Sequence, residues 1–314
     1  MMKIVQPATF FKEREALFQK VDIDLSVDEA VLAIIQRVRK QGDQALLEYT
    51  EKFDGVALSS LTLTEEERQR ALQQVSETLY DALQKAHDQI AAYHELQREK
   101  SWFQEVRPGV TLGQKVTPID RVGIYAPGGK AVYPSTVLMN VIPAKIAGVQ
   151  EIVLVTPPQR DGYLPPAIVA AAEIAGVTEI YKVGGAQAIA ALAYGTETIR
   201  RVNKITGPGN MYVARAKKWV YGDVAIDMIA GPSEICVVAD ETANPEFAAA
   251  DLLSQAEHDE QASAICVTTS EEVAKKIQRE VRAQLATLER KKIATQAIEQ
   301  YGRIVVVDTL DEVH

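Results

Sequence analysis

Cysteine is scarce in this chain: Cys236 and Cys266 are the only two among 314 residues, each inside an apolar, strand-like run. They read as reduced core thiols of a cytoplasmic protein, with a disulfide between them disfavoured. Basic runs are missing as well. The net charge is -9, and no Lys/Arg stretch is dense enough to track a phosphate backbone, which argues against nucleic acid as a partner. Long apolar runs are missing too. The best of them, VLMNVIPAKIAGV, is broken by Asn, Pro and Lys, so no membrane span is expected. The opening MMKIVQPATFFKEREALF lacks the basic-then-apolar order of a signal peptide. What remains is an ordinary globular balance, 47% hydrophobic and 25% charged, at a length that suits two domains.

Residues 1–25 read as a polar, irregular lead with FFKEREALF as a short helix. Ser26 with Glu29 forms a capping box ahead of AVLAIIQRVRKQG; Gly42-Asp43 punctuates, and a second helix runs to Asp54. Thr64 with Glu67 repeats the box before one long helix through Gln97. His87 and His94 fall on that charged helix with no Cys or acid set around them, so they read as surface residues. From Arg121 onward strands and helices alternate: RVGIYAP, a helix capped by Ser135, EIVLVTP, LPPAIVAAAEIAG, EIYKVGG, AQAIAALAYG, VNKITGPGN, MYVARAKKWVYG. This is the pattern of a doubly wound parallel α/β sheet. It resumes after His258 with SAICVTTS, a long or broken helix, and RIVVVDT. The expected division is the lead at 1–25, a discontinuous α/β domain of 26–121 with 234–314, and an inserted α/β domain at 122–233.

Three glycine-rich loops follow strands in the middle block: Ala126-Pro127-Gly128-Gly129, Val183-Gly184-Gly185-Ala186-Gln187 and Gly207-Pro208-Gly209-Asn210. Loops at the carboxyl ends of strands surround the ligand crevice of an open α/β sheet, and helix starts there offer N–H groups to an anion. A nucleotide-sized ligand fits that pattern. None of the three loops is GxGxxG, and the second strand ends Val155-Thr156-Pro157-Pro158 where the dinucleotide fingerprint would place an acid. Tyr125 can stack on a planar group or simply end its strand. Gln187 and Asn210 carry amides that donate and accept, and Asn210 is also a helix N-cap candidate.

The stretch Ile226–His258 reads as a strand, a Gly-Pro turn, a second strand, and a helix ending in Gln255-Ala256-Glu257-His258. Gln255 and His258, three apart, share a helix face. IDMIAGPSEI followed by ADLLSQAEHD resembles the signature of the histidinol dehydrogenase family, and VRKQGDQALLEYTEKFDG, RVGIYAPGGKAVYPSTVLM, VGGAQAIAALAYGTETI and KITGPGNMYV agree in family order. The resemblance covers about Val31 to His314. It implies two Rossmann-like, aldehyde-dehydrogenase-like domains with a helical N-terminal segment. It also implies oxidation of L-histidinol to L-histidine through the aldehyde, with two NAD+ and a zinc ion.

On these positions the resemblance places NAD contacts at Tyr125, Gln187 and Asn210, substrate contacts at Ser233, Gln255 and His258, and zinc ligands at Gln255 and His258. An imidazole and an amide oxygen are sensible partners for a metal that stays electrophilic. The family's Glu-His proton-transfer pair and its remaining Asp and His ligands have no counterpart before His314, so no catalytic pair is assigned in this chain. The expectation is a shortened family member that keeps a nucleotide crevice, turns over histidinol weakly or not at all, and forms the family homodimer only weakly. The alternatives are a relative that oxidises another small primary alcohol, such as a sulfopropanediol, or an inactive nucleotide-binding derivative.

Overall fold

A computed structural model describes residues 1–18, 25–128, 132–229 and 234–313 of the chain. Contacts divide it into two units, Leu25–Ile229 and Met1–Asp24 joined with Ala230–His314. The lead is less irregular than its polar sequence suggests. It holds a strand, β1 (Lys3–Val5), and a helix, α1 (Pro7–Phe18), both in the discontinuous unit.

The unit Leu25–Ile229 opens with α2 (Leu25–Asp54), so Ser26 lies inside its first turn rather than ahead of it. Gly42 interrupts α2 at φ 52, ψ −131, as the Gly-Asp punctuation predicts. The break is tied down by tertiary contacts: the Asp43 N–H donates to Glu197 Oε2 at 2.7 Å, and the Asp43 carboxylate accepts from the Thr198 N–H at 3.3 Å. Next come α3 (Glu65–Gln73) and α4 (Glu77–Glu95). Thr64 and Glu67 form the expected capping box, at 3.2 and 2.9 Å. The single long helix expected here is two, because the Ser76 hydroxyl captures the Leu79 N–H at 3.2 Å and starts α4 afresh. A hairpin follows, β2 (Trp102–Arg107) and β3 (Val110–Gln114), turning at Pro108-Gly109.

The predicted alternation then forms: β4 (Arg121–Tyr125), α5 (Pro134–Ile146), β5 (Glu151–Thr156), α6 (Pro166–Ala175), β6 (Glu179–Lys182), α7 (Gly185–Tyr194), β7 (Lys204–Thr206), α8 (Met211–Val220) and β8 (Ala225–Ile226). The strands make one parallel sheet in the order β6-β5-β4-β7-β8. α5 begins at Pro134 with no side-chain cap, so Ser135 is not its N-cap; proline's fixed φ and missing N–H suit a first helical position. Side chains alternate across the strands. Val122, Ile124, Ile152 and Leu154 join one apolar cluster with α5 and α6, while Tyr125, Val153 and Val155 join another with α2, α7 and α8.

The N-terminal helical block covers this sheet. α2 packs on α7 and α8, and α3 and α4 pack on α5 and α6. This corrects the expectation that residues 26–121 join 234–314. The apolar face of α2 (Val31, Ile34, Ile35, Val38, Leu46, Tyr49) meets the alanine-rich α7, whose small side chains permit close approach. Trp219 of α8 fixes the contact by donating its indole N–H to Asp28 of α2 at 3.0 Å.

In the discontinuous unit, β9 (Glu234–Ala239), α9 (Pro245–Ala256), β10 (Ser263–Thr268), α10 (Glu271–Leu285), α11 (Lys291–Tyr301) and β11 (Arg303–Val306) continue the alternation. The sheet order is β1-β11-β10-β9, all parallel. Its core includes Met2, Leu252, Leu253, Cys266, Ile277, Ile298 and Ile304. Both cysteines are free, but only Cys266 is a core thiol; Cys236 is exposed. Cys236 pairs in register with Ile265 and Cys266 with Val237, so the two thiols project from opposite faces of the sheet. The chain is thus α/β with two parallel sheets, and among the described residues no helix is long and apolar enough to cross a membrane.

Candidate functional site

The strand order β6-β5-β4-β7-β8 reverses direction of travel beside β4, and the loops after β4, β6 and β7 meet at that edge. Tyr125 ends β4 and is buried, 3% exposed. Its hydroxyl accepts the Gly185 N–H at 3.1 Å, which joins the first loop to the start of α7. Burial first, and the charge of Asp54 after it, push the Tyr125 phenol up to about 12, while the Gly185 N–H works the other way. The third loop comes closer still. A Cβ on Gly207, at φ 114, would sit 2.1 Å from the Tyr125 carbonyl oxygen, so only glycine permits the approach. Gly128 lies against Thr156, and Gly184 against Pro157, so the end of β5 is enclosed by two of the loops.

An ion pair between a buried lysine and an exposed aspartate clamps the third loop. Lys217 of α8, 2% exposed, donates to the Gly207 carbonyl at 3.0 Å and pairs with Asp227, whose other carboxylate oxygen accepts the Gly207 N–H at 2.8 Å. Asn210 is exposed and caps α8, its Oδ1 accepting the Val213 N–H at 3.1 Å.

Several buried polar atoms along this edge have no partner: Asp54 Oδ2, Thr156 Oγ1, Gln187 Oε1 and Thr206 Oγ1. Gln187 is 1% exposed, with its Oε1 against Gly185. Burial pushes the Asp54 carboxyl up to about 6. An unpaired buried polar group costs about 1–3 kcal/mol.

The structure therefore brings Tyr125 and Gln187 together around Gly185 and sets Asn210 on the neighbouring loop. Gly129 and Ser233 lie outside the described residues, as does His314. Gln255 is half-buried and its Nε2 is buried without a partner. α9 ends at Ala256, so His258 is exposed just past the helix rather than on it; its N–H still bonds the Gln255 carbonyl at 3.1 Å. Among the described residues no group of three or more His, Cys, Asp or Glu is arranged to hold a metal ion.

Sequence reasoning missed Asp54, Thr156, Thr206, Lys217 and Asp227. Asp54 and Asp227 lay within motifs that were noticed, but nothing local marks either as facing a loop some 70 or 20 residues away. Thr156 ends β5 with a hydroxyl where the dinucleotide fingerprint has an acid, so no motif marks it.

The fold is that of an α/β protein built on an open parallel sheet with glycine loops at the carboxyl ends of its strands. The histidinol dehydrogenase family model matches residues 18–314. Histidinol dehydrogenase of Geobacillus kaustophilus is 60% identical over 283 residues, 90% of this chain and 67% of that one. The Oceanobacillus iheyensis enzyme is 57% identical over 286 residues, 91% of this chain and 67% of its own. Among solved structures, histidinol dehydrogenase from Elizabethkingia anophelis superposes with a TM-score of 0.86 at 44% identity, covering 93% of this chain and 67% of that one. The chain belongs to the histidinol dehydrogenase family, a family of oxidoreductases, and spans about two thirds of the length of these relatives.

Proposed function

We propose that this chain serves the NAD-dependent oxidation of L-histidinol to L-histidine through the aldehyde, in histidine biosynthesis. NAD is taken in the crevice at the carboxyl ends of β4, β5 and β7. Tyr125 supplies a buried ring at its floor, Gln187 an unpaired amide oxygen, and Asn210 the exposed amide at the start of α8. The start of α7 adds N–H groups suited to the pyrophosphate.

Ser233, Gln255 and His258 contact the substrate. Gln255, through its amide oxygen, and His258, through its imidazole, would also be two ligands of a zinc ion. Zinc takes four ligands, so this pair is half of a set. When bound, the metal polarises a substrate oxygen. The working protein in this reading is a cytoplasmic homodimer, with a small molecule as substrate and neither nucleic acid nor membrane as partner.

The observation that carries the reading is the row of unpaired buried acceptors at the strand switch point. Titration calorimetry with NAD tests it. The chain is expected to bind NAD, and Gln187→Ala to weaken binding by about tenfold. No NAD binding to the wild type would remove the reading. Nucleotide reduction with histidinol, against a panel of other small primary alcohols, then decides the substrate; reduction with another alcohol and not with histidinol would assign the chain elsewhere.

A further inference from the structure

A second concavity lies at the amino end of the five-stranded sheet, away from the glycine loops. It is an open cleft of about 720 Å³ between two walls. One wall is the turn of α2 just before its break, with Arg39, Lys40 and Gly42. The other is the segment from Tyr194 to Arg201, which leads from the end of α7 to the start of β7. Four cations line the cleft, Arg39, Lys40, Arg200 and Arg201, in a chain whose net charge is -9.

The walls are tied together by hydrogen bonds. The Asp43 N–H donates to Glu197 Oε2 at 2.7 Å, and the Asp43 carboxylate accepts both the N–H and the hydroxyl of Thr198. The loop is also closed on itself: the Thr196 N–H donates to the Ile199 carbonyl at 2.8 Å, and the Ile199 N–H to the Thr196 hydroxyl at 3.1 Å. The two acids of the walls, Asp43 and Glu197, therefore serve backbone donors and not the cations. Arg200 turns away to Glu151 at 2.5 Å and Glu179 at 3.5 Å. Arg39 lies over the Tyr194 ring, 4.4 Å from its centroid, and the Tyr194 hydroxyl is anchored on Asp223 at 2.8 Å. Among the described residues Arg39, Lys40 and Arg201 are exposed and enter no ion pair.

A helix end explains part of this. A cation in the last turn of a helix gains about 0.3–1 kcal/mol from the backbone dipole, which accounts for Arg39 and Lys40 ahead of the break at Gly42. The effect fades within one turn, and Arg201 stands well past the end of α7 at Tyr194. Cations gathered without a counter-charge repel one another, and a bound anion reverses that.

We propose that this cleft is a binding site for a small anion bearing two or more phosphate groups, gripped by Arg39, Lys40 and Arg201. A guanidinium forks onto phosphate oxygens, and a lysine meets them as a point charge. One phosphate group carries about 1.5 to 2 negative charges, so a diphosphate matches three cations better than a monophosphate does. The site is separate from the loops read above as the NAD crevice, which lie at the other end of the same strands.

Inorganic pyrophosphate is the probe, titrated calorimetrically into the wild-type chain at low salt, where such contacts are least screened. It is expected to bind at least about tenfold tighter than inorganic phosphate. Arg39→Gln and Arg201→Gln are each expected to weaken it by about tenfold, and the double variant by more; Arg39→Lys, which keeps the charge and loses the fork, should fall between. No pyrophosphate binding by the wild type, or equal affinities for pyrophosphate and phosphate, would overturn the proposal. So would an unchanged affinity in the double variant, which would place the anion elsewhere, as at the start of α7. The double variant, checked for an unaltered melting curve, is expected to keep the wild-type affinity for NAD; a parallel loss of NAD binding would merge the two sites and overturn the proposal as well.

Discussion

The two ends of the five-stranded sheet are built on opposite principles. At the amino end, Arg121, 4% exposed, reaches Glu151 at 2.6 Å and forks onto both oxygens of Glu179 at 2.7 and 2.6 Å. Tyr181 donates its hydroxyl to the same Glu179 at 2.6 Å, and Arg200 joins through Glu151 at 2.5 Å. The Arg121 hydrogen bonds hold the Glu179 carboxyl down to about 2. Among the buried side-chain atoms of the described residues, only Arg121 Nε is left unpaired there. At the carboxyl end, acceptors from α2, β5, β7 and α7 are buried with nothing to bind. The first end ties three strands together. The second leaves several buried polar atoms without a protein partner.

The largest expected effect comes from breaking the saturated end. Arg121→Met strands the Glu179 and Glu151 carboxylates and should lower stability in urea by about 3 kcal/mol at neutral pH. Because the folded Glu179 carboxyl is depressed, its contribution is present above the unfolded value near 4.5 and is lost as pH falls toward about 2. The gap between wild type and Arg121→Met should therefore shrink on acidification; a constant gap would mean that the network holds the strands by packing alone.

The opposite sign is expected at the other end. The folded Asp54 carboxyl is raised, so its cost appears as pH climbs from near 4 and is complete above about 6. Asp54→Asn should stabilise the ligand-free protein by about 2 kcal/mol at pH near 7 and leave it unchanged near pH 4. A destabilised variant at neutral pH would erase the contrast between the two ends. The smallest effect belongs to a position outside both ends. Thr64→Ala removes one side of a capping box and should cost about 1 kcal/mol without altering nucleotide affinity. A change in affinity there would show that the two ends are not the only parts that matter to the crevice.

Much of the fold was legible because periodicity and caps are local. The βα succession from Arg121, the break at Gly42 and the box at Thr64 all follow from residues within a few positions of one another. What each helix covers is not local. An amphipathic stripe on α2 announces a partner without naming it, and the alanine face of α7 decides. Likewise β1 is three residues long and becomes a strand only because β11 offers it an edge. The crevice was half legible. The glycine loops after β4, β6 and β7 gather at one edge of the sheet, where Tyr125 and Gln187 both lie against Gly185. Asp54 stayed hidden because an Asp before a Gly reads as the end of a helix, and its partial burial leaves no mark in the residues around it.

The indole of Trp219, hydrogen-bonded to Asp28, has a spectroscopic consequence. The only other tryptophan is Trp102, and both belong to Leu25–Ile229. Tryptophan emission is therefore a private signal of the Leu25–Ile229 unit, blind to the unit that carries Gln255 and His258. Melting followed by fluorescence and by far-ultraviolet dichroism on one sample reads the two units separately, and any gap between the traces measures how independently they come apart.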